Sequence, residues 1–200
     1  DLQEPGPILV GPVGMEFVEP PMDPPSPVPS GLQMGRRVVT FQQWRDVMGT
    51  IEPHCSNRID GLPASCIAWT DAQAFISRLN APPLNDGYVY RLPSDAEWTA
   101  LWDVFAGTSA MSEAWNRREW VSDSCPGGAW ARGTSTCDPD DKPVRQPARN
   151  CDYATAGWRE LCHGFRVVRL PVTAPGTVVP RITVLTPGHV VEGTYGLTLV

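Results

Sequence analysis

Apolar residues recur at helical spacing in three places along the chain, and each recurrence follows a hydroxyl residue with an amide or carboxylate three positions later. Thr40 and Gln43 precede Phe41, Trp44, Val47 and Met48; Thr70 and Gln73 flank Ala72, Phe75, Ile76 and Leu79; Ser94 and Glu97 precede Trp98, Leu101 and Trp102. A side-chain acceptor at the first position and a reciprocating side chain at the fourth is a capping box, so three short helices are predicted, the first ended by Gly49. Period-two alternation appears in Tyr88-Val89-Tyr90, which Pro93 halts by removing a backbone donor. Val38-Val39 reads as a strand end, and Ile8-Leu9-Val10 and Met15-Glu16-Phe17-Val18 read as strands able to pair at a sheet edge. Short strands mixed with capped helices and long turn-rich stretches predict a compact α+β domain.

Three regions follow from where this patterning starts and stops. Residues 1–31 are proline-rich and are expected to form an extended arm. The patterned segment 32–169 is the domain. Residues 170–200 have β-type composition in Val178-Val179, Ile182-Thr183-Val184-Leu185 and Leu197-Thr198-Leu199-Val200, and form a β-rich extension that packs on its own domain or on a neighbour. Between 106 and 152 periodicity is lost, yet Trp115, Trp120, Trp130 and two cysteines point to a packed loop region.

Composition narrows the function. A net charge of −6 argues against a nucleic-acid groove, which needs clustered basic residues. No apolar run approaches the roughly 20 residues that span a bilayer. The chain opens at Asp1 with no leader pattern, so any signal peptide is expected to have been removed or to lie outside it. Six cysteines fall in near pairs: Cys55 with Cys66, Cys125 with Cys137, and Cys151 with Cys162. None has zinc spacing, and closing short loops costs least entropy, so three local disulfides and an extracytoplasmic location are expected. His54, His163 and His189 have no acid at diagnostic spacing, His163 being read as a strand-end hydrogen-bonding residue. Asp71 and Asp95 are read as offsetting helix dipoles.

The stretch Tyr90-Arg91-Leu92-Pro93-Ser94-Asp95-Ala96-Glu97-Trp98 resembles the YRLPTEAEW motif of the formylglycine-generating enzyme (sulfatase-modifying) family, whose fold is a variant of the C-type lectin fold. Four further segments resemble that family in order: GLQMGRRVVTFQQWRDVMG, LPASCIAWTDAQAFISRLN, REWVSD and HGFRVVR. Together they run from about Met15 to Arg169.

The resemblance implies copper chemistry, in which two thiolates after a GGS motif hold Cu(I) and a substrate cysteine is oxidised. Here the motif reads Gly127-Gly128-Ala129-Trp130-Ala131-Arg132, which puts Arg132 at the first copper cysteine and Cys137 at the second. One thiol and an arginine do not make that site, so copper and catalysis are not expected. Calcium is the other ion the resemblance implies, with Asn116 and Glu119 as candidate ligands, although Arg117 and Arg118 beside them oppose a cation. Some relatives use the loops before the closing strand for variable binding. The matching residues include Arg149, Asn150, Asp152, Tyr153, Trp158, Arg159 and Glu160, types that carry interface energy. The reading is a non-catalytic, disulfide-stabilised binding or assembly module on a cell, filament or virion surface. Its partners would be a protein or glycan ligand, or neighbouring subunits reached through the arm and the tail. A copper-dependent oxidase and a purely structural subunit are the alternatives.

Overall fold

The computed structural model describes residues 7–20, 27–49, 59–105, 118–133, 149–152 and 163–172. In chain order the strands are β1 (Leu9–Val10), β2 (Glu16–Val18), β3 (Gln33–Gly35), β4 (Tyr88–Arg91), β5 (Arg118–Cys125), β6 (Gly128–Arg132), β7 (Arg149–Asp152), β8 (His163–Phe165) and β9 (Val168–Pro171). The helices are α1 (Phe41–Met48), α2 (Trp69–Leu79) and α3 (Asp95–Phe105). This is the α+β architecture expected.

Two small sheets carry the chain. The first has the order β1-β2-β3-β9-β4 and is antiparallel throughout. The second has the order β7-β6-β5-β8, with β5 and β8 parallel. Helices α1 and α2 bury Phe41, Trp44, Phe75 and Ile76 in one core, where Trp44 stacks on Phe75 and Phe75 meets Phe165 edge-on. Helix α3 buries Trp98, Leu101, Trp102 and Phe105 in a second core with Val18, Met34, Val121 and Val168.

Two of the three capping boxes form. Gln43 N–H donates to Thr40 Oγ1 (3.3 Å) and Thr40 N–H donates back to Gln43 Oε1 (3.0 Å), while Gly49 closes α1 at φ 71°. Glu97 N–H donates to Ser94 Oγ (3.1 Å) and Ser94 N–H to Glu97 Oε2 (2.8 Å). At α2 the expected Thr70–Gln73 pair is not the cap. The helix starts at Trp69, and Asp71 Oδ2 accepts the Ala68 N–H at 3.2 Å. A carboxylate three residues beyond the capping position satisfies that donor without a hydroxyl, and the Trp69 indole fixes the first turn by donating to the Val121 carbonyl (2.9 Å).

The arm boundary at 31 also shifts. Strands β1 and β2 belong to the first sheet, and Leu9, Met15, Phe17, Val18 and Val28 are buried. Their apolar side chains gain more by joining the core than the intervening prolines lose, and Pro12 sits at the start of a 3-10 turn, where a missing N–H costs nothing. Strand β9 extends past 169, so the edge drawn for the C-terminal extension falls inside a strand; residues 173–200 lie outside the described residues.

At the outer edge of β4 the Asn80 side chain imitates a paired strand. Its amide donates to the Tyr90 carbonyl and its oxygen accepts the Tyr90 N–H, both at 2.8 Å. Across the same sheet Arg169 lies between the rings of Phe17 (4.0 Å) and Tyr88 (4.1 Å) and donates to Gln33 and Tyr90. Burial pushes the Tyr90 phenol well above its ordinary pKa; the bond from Arg169 opposes this, and the bond to Asp86 adds to it.

Candidate functional site

The family-like motif residues are largely spent on structure. Arg91 donates to both oxygens of Glu97 (2.6 and 2.7 Å), so one carboxylate closes the capping box and neutralises a guanidinium. Burial of Glu97 would raise its pKa, but the bonds from Arg91 and the Ser94 N–H outweigh it and leave the group below its ordinary value.

Glu119, the described half of the candidate calcium pair, is fully buried. Its Oε2 accepts from Arg166 Nε (2.8 Å) and Trp98 Nε1 (2.9 Å), and its Oε1 accepts from Arg166 Nη2 (2.9 Å). Arg166 Nη1 also reaches the carbonyls of Gly35 and Arg36. Both carboxylate oxygens are thus engaged within the core, and Asn116 lies outside the described residues. Among the described residues no three His, Cys, Asp or Glu side chains converge as a metal site would require.

Arg132, which the motif resemblance sets against the first copper cysteine, ends β6 and forms an ion pair through Nε with Asp95 Oδ1 at the start of α3. The other carboxylate oxygen of Asp95 takes Arg149 Nε at 3.2 Å. Arg132 and Arg149 are direct cross-strand partners in the β6–β7 register, so both point to the α3 side of the sheet. Arg149 lies 3.7 Å over the Trp130 ring, and the Asp95 N–H donates to Asp123 Oδ2 (2.6 Å). Asp95 therefore does more than offset a helix dipole. It is the pivot of an arginine pair that sequence reasoning missed, because its members lie on three separate elements.

Of the described candidate binding residues, Arg149 alone combines this outward position with exposure. Asn150 and Asp152 lie on the opposite face of β7, paired with Ala131 and Ala129. Asp152 is held by His163 Nε2 (2.9 Å) and lies 3.7 Å from Arg118 Nη1, while the His163 ring stacks on Trp120. Asn150 Nδ2 is buried with no hydrogen-bond partner among the described residues. Tyr153, Trp158, Arg159 and Glu160 lie outside the described residues.

Cys125 bonds Cys151, across a separation of 26 residues. This corrects the local pairs Cys125–Cys137 and Cys151–Cys162. Halving a loop is worth only about 0.6 kcal/mol in closure entropy. Sheet register decides instead, since β7 lies beside the β5–β6 hairpin and brings Cys151 to its Pro126-Gly127 tip, with Cα atoms 6.0 Å apart. Cys66 is also disulfide-bonded, and its partner, like Cys55, Cys137 and Cys162, lies outside the described residues.

A cleft of about 150 Å³ opens elsewhere, between the Pro12–Gly14 turn, β2, β3 and the start of α1. Its side chains offer no acid–base pair: Glu16 is bound by Arg36 (3.0 Å), and Gln43 is committed to Thr40 and Gly14.

Two small sheets and three capped helices, with a buried Glu–Arg pair joining β5 to the loop before β9, make up a mixed α+β fold. Residues 30–112 match the family model for the sulfatase-modifying factor enzyme 1-like domain. Two solved structures share the fold. The crystal structure of CarF is 16% identical, with 85% of this chain and 97% of that one covered and a TM-score of 0.53. Treponema denticola variable protein 1 is 15% identical, with 84% and 94% covered and a TM-score of 0.54. No curated protein sequence matches the chain. Among the described residues no helix is long and apolar enough to cross a membrane.

Proposed function

We propose that the chain is a non-catalytic binding or assembly module that works outside the cytoplasm, on a cell, filament or virion surface. The observation that carries this is Arg132. By the motif resemblance it stands where a copper thiolate would, and it is tied to Asp95; a cation there does not supply the soft anionic donor that the oxidase chemistry needs. The Cys125–Cys151 cross-link fits an oxidising compartment. The presenting surface is the α3 side of β6 and β7, where Arg149 is exposed above Trp130. The fold is shared with a protein named for its variability, which suits a scaffold that tolerates change in its binding residues. The ligand would be a protein or glycan, and the terminal segments would join neighbouring subunits.

Copper titration under reducing conditions, followed by a cysteine-peptide oxidation assay, is expected to give no turnover. Turnover would restore the oxidase reading. The purely structural alternative is separated by trimming residues 1–6 and 173–200 only, because deletion to residue 31 would remove β1, β2 and Phe17 from the core. Assembly lost while a ligand still binds favours the binding module.

A further inference from the structure

We infer that Arg132 and Arg149 form a two-pronged receptor for a carboxylate side chain of a protein partner. The inference deepens the binding reading above and rests on it.

Each arginine approaches Asp95 through its Nε, one to each carboxylate oxygen. A guanidinium carries five donors in a rigid fork, and among the described residues no acceptor takes the four Nη donors of either arginine. Their mounting is stiff. The two side chains leave adjacent strands at a paired position, share one anchoring carboxylate, and one of them rests on an indole. Arg132 is only 15% exposed and Arg149 43%, so the first side chain is largely shielded from water while the second stands open to a partner. Asp95 and Asp123 balance the two positive charges, so what the site has in excess is directed donors, not net charge. An incoming carboxylate is the planar, two-oxygen acceptor that fits such donors.

Trp130 decides between sources of that carboxylate. An acidic sugar would normally lay its ring on an exposed aromatic face, but Arg149 covers Trp130 at 3.7 Å and α3 packs nearby. A flexible Asp or Glu side chain needs no such platform. The −6 charge of the chain repels acidic peptides overall, so binding rests on short-range contacts with the fork and not on long-range attraction.

The test is an NMR titration of the intact, isotope-labelled chain with a hexaglutamate peptide, a hexaglutamine peptide and an oligogalacturonate. Hexaglutamate should shift the Arg149 Nε–H and Trp130 Nε1–H signals, and should bind about tenfold or more weakly to R149Q, as expected for losing charge-assisted hydrogen bonds. R149K, which keeps the charge but loses the fork, should fall between wild type and R149Q. R132Q provides a second, independent loss, and a dispersed spectrum certifies the fold of each variant. The inference is overturned if hexaglutamate causes no shift, if hexaglutamine does as well, if oligogalacturonate binds more tightly, or if R149Q binds like wild type. Any of these results leaves the non-catalytic reading intact, because that reading is decided by cysteine oxidation.

Discussion

Replacing Glu119 with glutamine is the most informative single change in this molecule. The carboxylate accepts three hydrogen bonds, two from Arg166 and one from Trp98, with both members of the ion pair at zero side-chain exposure. Glutamine keeps one acceptor oxygen, loses the charge and turns an NH2 toward donors on Arg166. Breaking a buried pair by removing one partner leaves an uncompensated charge and costs about 3–5 kcal/mol, a large share of the roughly 5–15 kcal/mol that stabilises a domain. Urea unfolding with the disulfides intact reads this as a lower midpoint at unchanged slope. The double variant E119L/R166L removes both charges together and should cost several kcal/mol less than the sum of the single changes, since neither charge is left stranded. A loss below about 1 kcal/mol for E119Q, or strict additivity in the cycle, would refute the argument. A chelator arm separates the ion pair from calcium: if Glu119 serves Arg166, EDTA should not reproduce the E119Q loss.

Glu97 and the disulfide give two further tests. The folded-state pKa of Glu97 lies below its ordinary value of 4.5, so its stabilisation is complete above that pH and is lost as pH falls through the folded value. E97Q should therefore lower the urea midpoint at neutral pH and flatten its decline in acid; an unchanged acid limb would count against the Arg91–Glu97 bond as a stabilising contact. Non-reducing peptide mapping should recover Cys125 joined to Cys151. Changing both to alanine should cost roughly 3.5 kcal/mol if chain entropy dominates, and recovery of Cys125 joined to Cys137 would refute the register argument.

What could be read from the sequence was whatever depends on neighbours a few residues apart. The Thr40–Gln43 and Ser94–Glu97 boxes, the Gly49 stop and the buried stripe Trp98, Leu101, Trp102 are all local, and the structure has them. The motif resemblance extended this to the fold. Contacts closed across long loops were not legible. Glu119 reaches Arg166 over 47 residues and Arg132 reaches Asp95 over 37, and no periodicity encodes either. Cysteine proximity along the chain misled for the same reason, since β7 lies against the β5–β6 hairpin and sets Cys151 beside Cys125. Asp71 at α2 shows the smaller error: the pattern chose Thr70 with Gln73, whereas the helix starts one residue earlier and the Asp71 carboxylate takes the Ala68 N–H.

Asn80 has a bearing on how copies of this chain can be joined. A bare outermost strand is a template on which another polypeptide can crystallise its backbone, the usual route to runaway fibres. By filling the donor and acceptor of Tyr90 with one amide, the fold has plugged that socket from within. Polymer growth by adding strands along β4 is closed at Tyr90, and any higher-order array must be knitted through side chains or through other margins of the domain.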